Sequence, residues 1–293
     1  ANVTLSNSYS VAGPIQVYGG LITQSAAMTA TGSTGSLDYQ ATAGISISGG
    51  VTTVAGISLS NTGATNDIVN NASSNMSVSG LGSKIFMKSA RNVDLGAKGM
   101  TYTTNKGDIV LWGDSDADAT NGGSVYVGGT STLNTINGDV TRTSTGGGNI
   151  IIGGGSAGTT SPTGYLGFRA VSGSGACGFE SGTNATTTET TKFYTGGGDF
   201  RVKARGYALG NDTVCLTGAT TLWANGGQID FDAQNTGGAG AIQISRNTPT
   251  AVTDIFSSSN TAPAIKFNAV SGSSWAFLSG FNSAGPNQTF IQA

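Results

Sequence analysis

A glycine-bounded run of alternating apolar residues recurs along nearly the whole chain, and this repetition limits the fold more than any other feature. Asn105–Gly129, NKGDIVLWGDSDADATNGGSVYVGG, shows the unit most clearly. Gly107 opens a run in which Ile109 and Leu111 alternate with Asp108, Val110 and Trp112, and Gly113 closes it. After a polar stretch, Asp114 to Gly123, Val125 and Val127 repeat the alternation and Gly128–Gly129 stop it. Strand side chains point to opposite faces with period two, so each run is expected to bury one row and wet the other. Many such units in series predict an extended β-solenoid that displays surface.

Versions of the unit read as strands at Pro14–Tyr18, Gly44–Ser48, Gly56–Ser60, Met76–Val78, Lys84–Lys88, Asp108–Trp112, Ser124–Val127, Asp139–Thr143, Asn149–Ile152, Asp199–Arg205, Gln228–Ala233 and Ala241–Ser245. Gly, Asn, Asp, Ser and Thr clusters separate them, as tight turns require. Asn-Gly at 121–122, 137–138 and 225–226 raises a rival reading, a meander of hairpins. Many connections are longer than a hairpin loop, however, and the glycines sit before strands again and again, as the corners of a coil would.

One pair of segments fixes a register. Placing Gly198 on Gly227 aligns Phe200 with Ile229 and Val202 with Phe231, pointing inward. The same alignment sets Arg201 over Asp230 and Lys203 over Asp232, pointing outward, where opposite charges on neighbouring strands contribute roughly 0.2–1 kcal/mol per pair. Val214–Leu216 and Leu222–Ala224 would form the other sides of that coil. Residues 248–293 depart from the pattern, with Pro249, Pro263 and Pro286 and the aromatics Phe267, Trp275, Phe277, Phe281 and Phe290. Proline fits poorly inside a ladder. The chain is therefore divided into a solenoid region, 1–247, and an atypical final coil or cap, 248–293.

Composition narrows the class. Only 10% of residues are charged and the net charge is −2, which argues against electrostatic nucleic-acid binding. Hydrophobic residues make up 37%, which favours order over disorder when charge is this sparse. No run approaches the roughly 18 apolar residues of a membrane helix. Cys177 and Cys215 leave two states open, one disulfide or two buried thiols.

The stretch KIFMKSARNVDLGAKGMTYTTNKGDIVLWGDSDADATNGGSVYVGG (84–129) resembles the repeat region of large secreted bacterial adhesins of the filamentous-haemagglutinin type. So do NGDVTRTSTGGGNIIIGGG (137–155), GYLGFRA (164–170) and TGGGDFRVKARGYALG (195–210). They share a Gly-Gly-Asn/Asp-hydrophobic strand after a Thr/Asn-rich turn, and a Leu-Trp-x-Asp-x-Asp segment. The resemblance implies a right-handed parallel β-helix, export, an extracellular or bacterial cell-surface location, and an adhesive or structural role with no catalytic residues. The family's Asn-Pro-Asn export motif near the mature start is absent.

The chain has no histidine, which excludes His-dependent triads and His metal sites. Asp114, Asp116 and Asp118 have the spacing of a calcium loop, and carboxylate oxygens suit that ion. The remainder departs from an EF-hand, with Ala119 where glycine is needed and no glutamate at the twelfth position; the competing reading is a solvated acidic turn. Asp230 and Asp232 are the candidate pair for a glycan-cleaving enzyme, although Arg201 and Lys203 would neutralise them. Trp112, Tyr126, Tyr194 and Trp223 are candidates for stacking sugars, against a reading as ordinary strand aromatics.

The resulting expectation is a single elongated right-handed parallel β-helix with coils of about 20–30 residues and a length of about 50–70 Å. Its expected function is extracellular, structural or adhesive and non-enzymatic, contacting a host or neighbouring cell surface or an extracellular glycan. The alternatives are a fibre subunit that self-associates head to tail and a polysaccharide-binding or polysaccharide-degrading β-helix. No cofactor is expected beyond the candidate calcium.

Overall fold

The computed structural model describes residues 1–71, 74–96, 99–118, 122–138, 140–167, 177–182, 190–206, 212–237, 240–246, 252–272, 275–279 and 288–293. The described strands form three parallel sheets of ten, ten and nine strands. Each coil gives one strand to sheet A, then B, then C, and the next coil stacks on it, which makes the fold a parallel β-helix. Coil 3 illustrates the circuit, with Ile45–Ile47 in A, Val51–Thr53 in B and Gly56–Asn61 in C. The near-copies GISIS and GISLS are thus two sides of one coil.

Ten strands in sheet A leave nine steps of about 4.8 Å, so the first and last lie about 43 Å apart. This is shorter than the 50–70 Å expected above, because later coils spend residues on long connections. Successive strands in sheet A start at Ile22, Ile45, Ile68 and Val93, but then at Val125 and Phe179.

Inward residues behave as the alternation predicts. Ile109, Leu111, Ile150, Ile152, Phe200, Val202, Ile229, Phe231, Ile242 and Ile244 are all buried. Through coils 2 to 6 the core is mainly aliphatic. From coil 7 it becomes an aromatic stack of Phe193, Phe200, Phe231 and Phe267, which the exposed Phe277 of the last coil extends, with successive ring centroids 5.2–5.5 Å apart.

The corner before sheet C explains why glycine and then Asp, Asn or Gln recur there. Gly107, Gly148, Gly198 and Gly227 form a column, and a Cβ on any of them would collide with backbone of a neighbouring coil. The next residues form a second column. Asp108 Oδ1 accepts the N–H of Asn149 at 2.7 Å, Asn149 Oδ1 that of Asp199 at 2.8 Å, and Asp199 Oδ1 that of Gln228 at 2.9 Å. Buried corner N–H groups must find acceptors, and each side chain supplies one to the next coil.

Several expectations change in detail. Asp139–Thr143 was expected as a strand; Asp139 lies outside the described residues, and Val140–Thr143 belong to a turn. Asn137 has φ 59° and turns the chain into a long connection across sheet B. There Arg142 meets Asp254 and Gln292 at 2.6 Å each and lies over the rings of Trp223 and Phe256. Asn225–Gly226 joins Ala219–Asn225 in sheet B to Ile229–Asn235 in sheet C, so this Asn-Gly is a coil corner. In the segment 248–293, Val252–Ser257, Ile265–Ser271, Phe277–Ser279 and Gln288–Gln292 continue the three sheets. Pro249, Phe281 and Pro286 lie outside the described residues.

Candidate functional site

The outer face of sheet C gathers most of the chemistry. Its register aligns Ile109–Ile150–Phe200–Ile229–Ile265 inward and Val110–Ile151–Arg201–Asp230–Lys266 outward. The predicted alignment of Arg201 with Asp230 and of Lys203 with Asp232 is present. The ion pairs form differently: Arg201 reaches Asp199 at 2.6 Å, two residues back on its own coil, and Lys266 of the next coil approaches Asp230 at 3.5 Å. Asp232 instead accepts hydrogen bonds from the Tyr165 hydroxyl at 2.7 Å and from Asn268 Nδ2 at 2.8 Å.

A connection, residues 154–166, folds back over this face. Gly154 pairs with Gly164 as an antiparallel bridge and Leu166 pairs with Ala204. The indole N–H of Trp112 donates to the Gly155 carbonyl at 2.9 Å, and Lys88 Nζ stands 4.1 Å above its ring. Val110 and Trp112 are consequently buried, not wetted as the alternation implied, and Trp112 is removed from the sugar-stacking candidates. The signal was available: Ile109–Trp112 reads IVLW, apolar on both rows, as in a strand covered on both sides.

Beyond this covering segment two hollows lie side by side. One, of about 260 Å³, is lined by Ile151, Gly153, Pro162, Thr163, Arg201 and Lys203 among others. Its neighbour, of about 320 Å³, is lined by Arg201, Lys203, Gln228, Asp230, Pro263 and Lys266 among others. Arg201 and Lys203 belong to both. Arg205 and Lys203 flank the Tyr165 ring at 5.0 and 6.0 Å. A third hollow, of about 330 Å³, lies farther toward the N-terminal coils between Asp38, Ser58, Lys84, Phe86 and Thr159.

Among the described residues no three His, Cys, Asp or Glu side chains are arranged to hold a metal ion. Of the expected calcium set, Asp114 is buried, Asp116 is exposed, and both Asp116 and Asp118 lie close enough for their charges to act on the Asp114 carboxyl. Asp114 has φ 49°, its N–H donates to Arg91 O, and its carbonyl accepts from Gly155 N, both at 2.9 Å. Its Oδ1 is buried without a hydrogen-bond partner. Burial, and then the charges of Asp116 and Asp118, push its carboxyl up to about 8, with the Asp118 N–H and Arg205 opposing. An acid held neutral at this depth avoids the cost of a buried charge.

The other candidates separate. Tyr194 and Trp223 stack on adjacent coils of sheet B, centroids 5.3 Å apart, with the Trp223 N–H donated to Asp254 at 2.9 Å. Tyr126 lies in sheet A, so the four aromatics form no common platform. Cys177 and Cys215 are joined as a disulfide, which resolves the two states left open by the sequence. No protein-family model, curated protein or solved structure matches this chain.

Proposed function

We propose that the chain is an extracellular structural and adhesive β-helix without catalytic activity, of the kind its resemblance to filamentous-haemagglutinin-type adhesins implies. The observation that carries this reading is the unbroken three-sided parallel ladder, which turns a low-complexity sequence into a rigid support for surface side chains. The disulfide supports an oxidising destination. Among the described residues no helix is long and apolar enough to cross a membrane. The enzymatic alternative has little support, since a glycan-cleaving pair needs two available carboxylates and Asp232 is already engaged by Tyr165 and Asn268. Purified chain coated on beads is expected to give saturable attachment to epithelial cell layers or to extracellular matrix. Absence of attachment, or polysaccharide turnover abolished by Asp230→Asn, would reverse the reading.

One observation favours a second, compatible role. All 13 basic and 15 acidic residues lie between Asp38 and Lys266, and the outermost coils expose Tyr9, Val11, Phe277 and Ile291. Natural sheet edges are usually blunted by charge. Uncharged outer coils suit stacking on further β-helical coils, whether of a second copy or of the same polypeptide. Electron microscopy across a concentration series would show end-to-end rods if copies stack, and separate short particles if they do not.

A further inference from the structure

We propose that the trough on the outer face of sheet C, spanning coils 6 to 9, binds a linear acidic polysaccharide whose sugars carry carboxylates. This rests on the adhesive reading and names the ligand and the surface that takes it. The two hollows that share Arg201 and Lys203 each approach or reach the lower range of small-ligand sites. Together they make one depression running across the stacked coils, with Pro162 and Thr163 at one end and Pro263 at the other. An open trough crossing several coils suits a polymer better than a compact solute.

Charge selects an anion. Arg201, Lys203 and Lys266 line the trough, against Asp230 in it and Asp199 beside it. Lys203 forms no ion pair among the described residues. Arg201 and Lys266 are 55% and 49% exposed, and ion pairs this open are weak enough to be shared with a ligand. The Lys266–Asp230 approach of 3.5 Å is too long for a good hydrogen bond, so this amine is loosely held. Arg201 and Lys266 occupy one register position two coils apart, about 10 Å along the axis, a separation comparable to alternate sugars of an extended chain.

Asp230 between them disfavours a densely charged polymer such as a nucleic acid, and the chain's overall charge of −2 points the same way. A glycan with one carboxylate per sugar can set its acids on the cations and its hydroxyls against Asp230, Gln228 and Thr163. Arg201 provides the fork that matches a carboxylate, and Lys203 a point charge.

The test is titration calorimetry of the full chain with polygalacturonate and with the same polymer methyl-esterified, which removes the charge and keeps the backbone. Polygalacturonate is expected to bind and its ester to bind far more weakly. Arg201→Ala with Lys203→Ala should weaken binding at least about tenfold, Lys203→Arg should largely preserve it, and Lys84→Ala in the separate hollow should leave it unchanged. Arg201 and Lys203 are surface side chains, and unchanged melting curves would show that the double variant is folded. No binding of polygalacturonate, equal binding of acid and ester, or full binding by the double variant would each overturn the proposal. Cell attachment that persists without polygalacturonate binding would overturn this inference alone; loss of both would remove the adhesive reading with it.

Discussion

Coils 1 to 5 and coils 6 to 10 are built on the same three sheets but use them differently. In the first group most turns are short, and sheet B presents the small polar residues Ser10, Thr29, Thr52, Ser77 and Thr103 in one register row. In the second the same row continues as Asn134, Tyr194, Trp223 and Phe256, with Arg142 laid across it. Here too are the aromatic core, the disulfide, the segment covering sheet C and the trough. The difference shows that a β-helix separates its tasks: the ladder is satisfied by any alternating sequence, which frees the connections to carry individual features.

Repeat stacks hold together chiefly through neighbouring coils, so damage in one group should spare the other. The largest expected effect comes from Phe231→Ala, which interrupts the Phe200–Phe231–Phe267 stack and should cost about 3–5 kcal/mol. Hydrogen exchange should then rise in coils 7 to 9 and stay low around Leu59 in coil 3. Equal loosening of both groups would show a single cooperative unit and erase the distinction. Next in size is the disulfide, which closes a separation of 38 residues. Replacing both cysteines by serine should cost about 2–4 kcal/mol, read as denaturant midpoint, with loss of protection centred on Val214–Thr217.

Asp114 stands at the junction of the two groups and gives the smallest effect. Its folded pKa is raised, so the folded state holds a proton that the unfolded state has released between about pH 4 and pH 8. Stability should fall as pH rises through that window, by about 1–3 kcal/mol after allowance for solvent screening. Asp114→Asn should flatten this slope and raise the melting temperature at pH 8. An unchanged slope would place the loss elsewhere, and a steeper one would mean that the carboxylate is ionised and useful.

Alternation and glycine corners made the strands readable, because period two and tight turns leave local marks. The Arg201–Asp230 register was readable because charge and apolar pattern agreed on one alignment. What escaped depended on contacts between distant segments. Burial of Trp112 requires Gly155 to arrive above it, and burial of Asp114 requires the same connection to pass its carbonyl. The Arg201 ion pair followed side-chain reach to Asp199 over the register neighbour. Nothing in the spacing of Cys177 and Cys215 reveals that they meet, since that depends on how many residues the intervening turns absorb.

The central claim, that sequential strands stack coil upon coil in parallel, is tested most directly by engineered cross-links on the exposed row of sheet B. Thr29 and Thr52 are register partners on adjacent coils, about 4.8 Å apart, whereas Thr29 and Ser77 are two coils apart. Thr29→Cys with Thr52→Cys should oxidise readily to an intramolecular disulfide, and Thr29→Cys with Ser77→Cys should not. A hairpin meander would instead set Met28–Ala30 beside the strand that precedes or follows it in sequence, so failure of the first pair to cross-link in folded protein would contradict the β-helix.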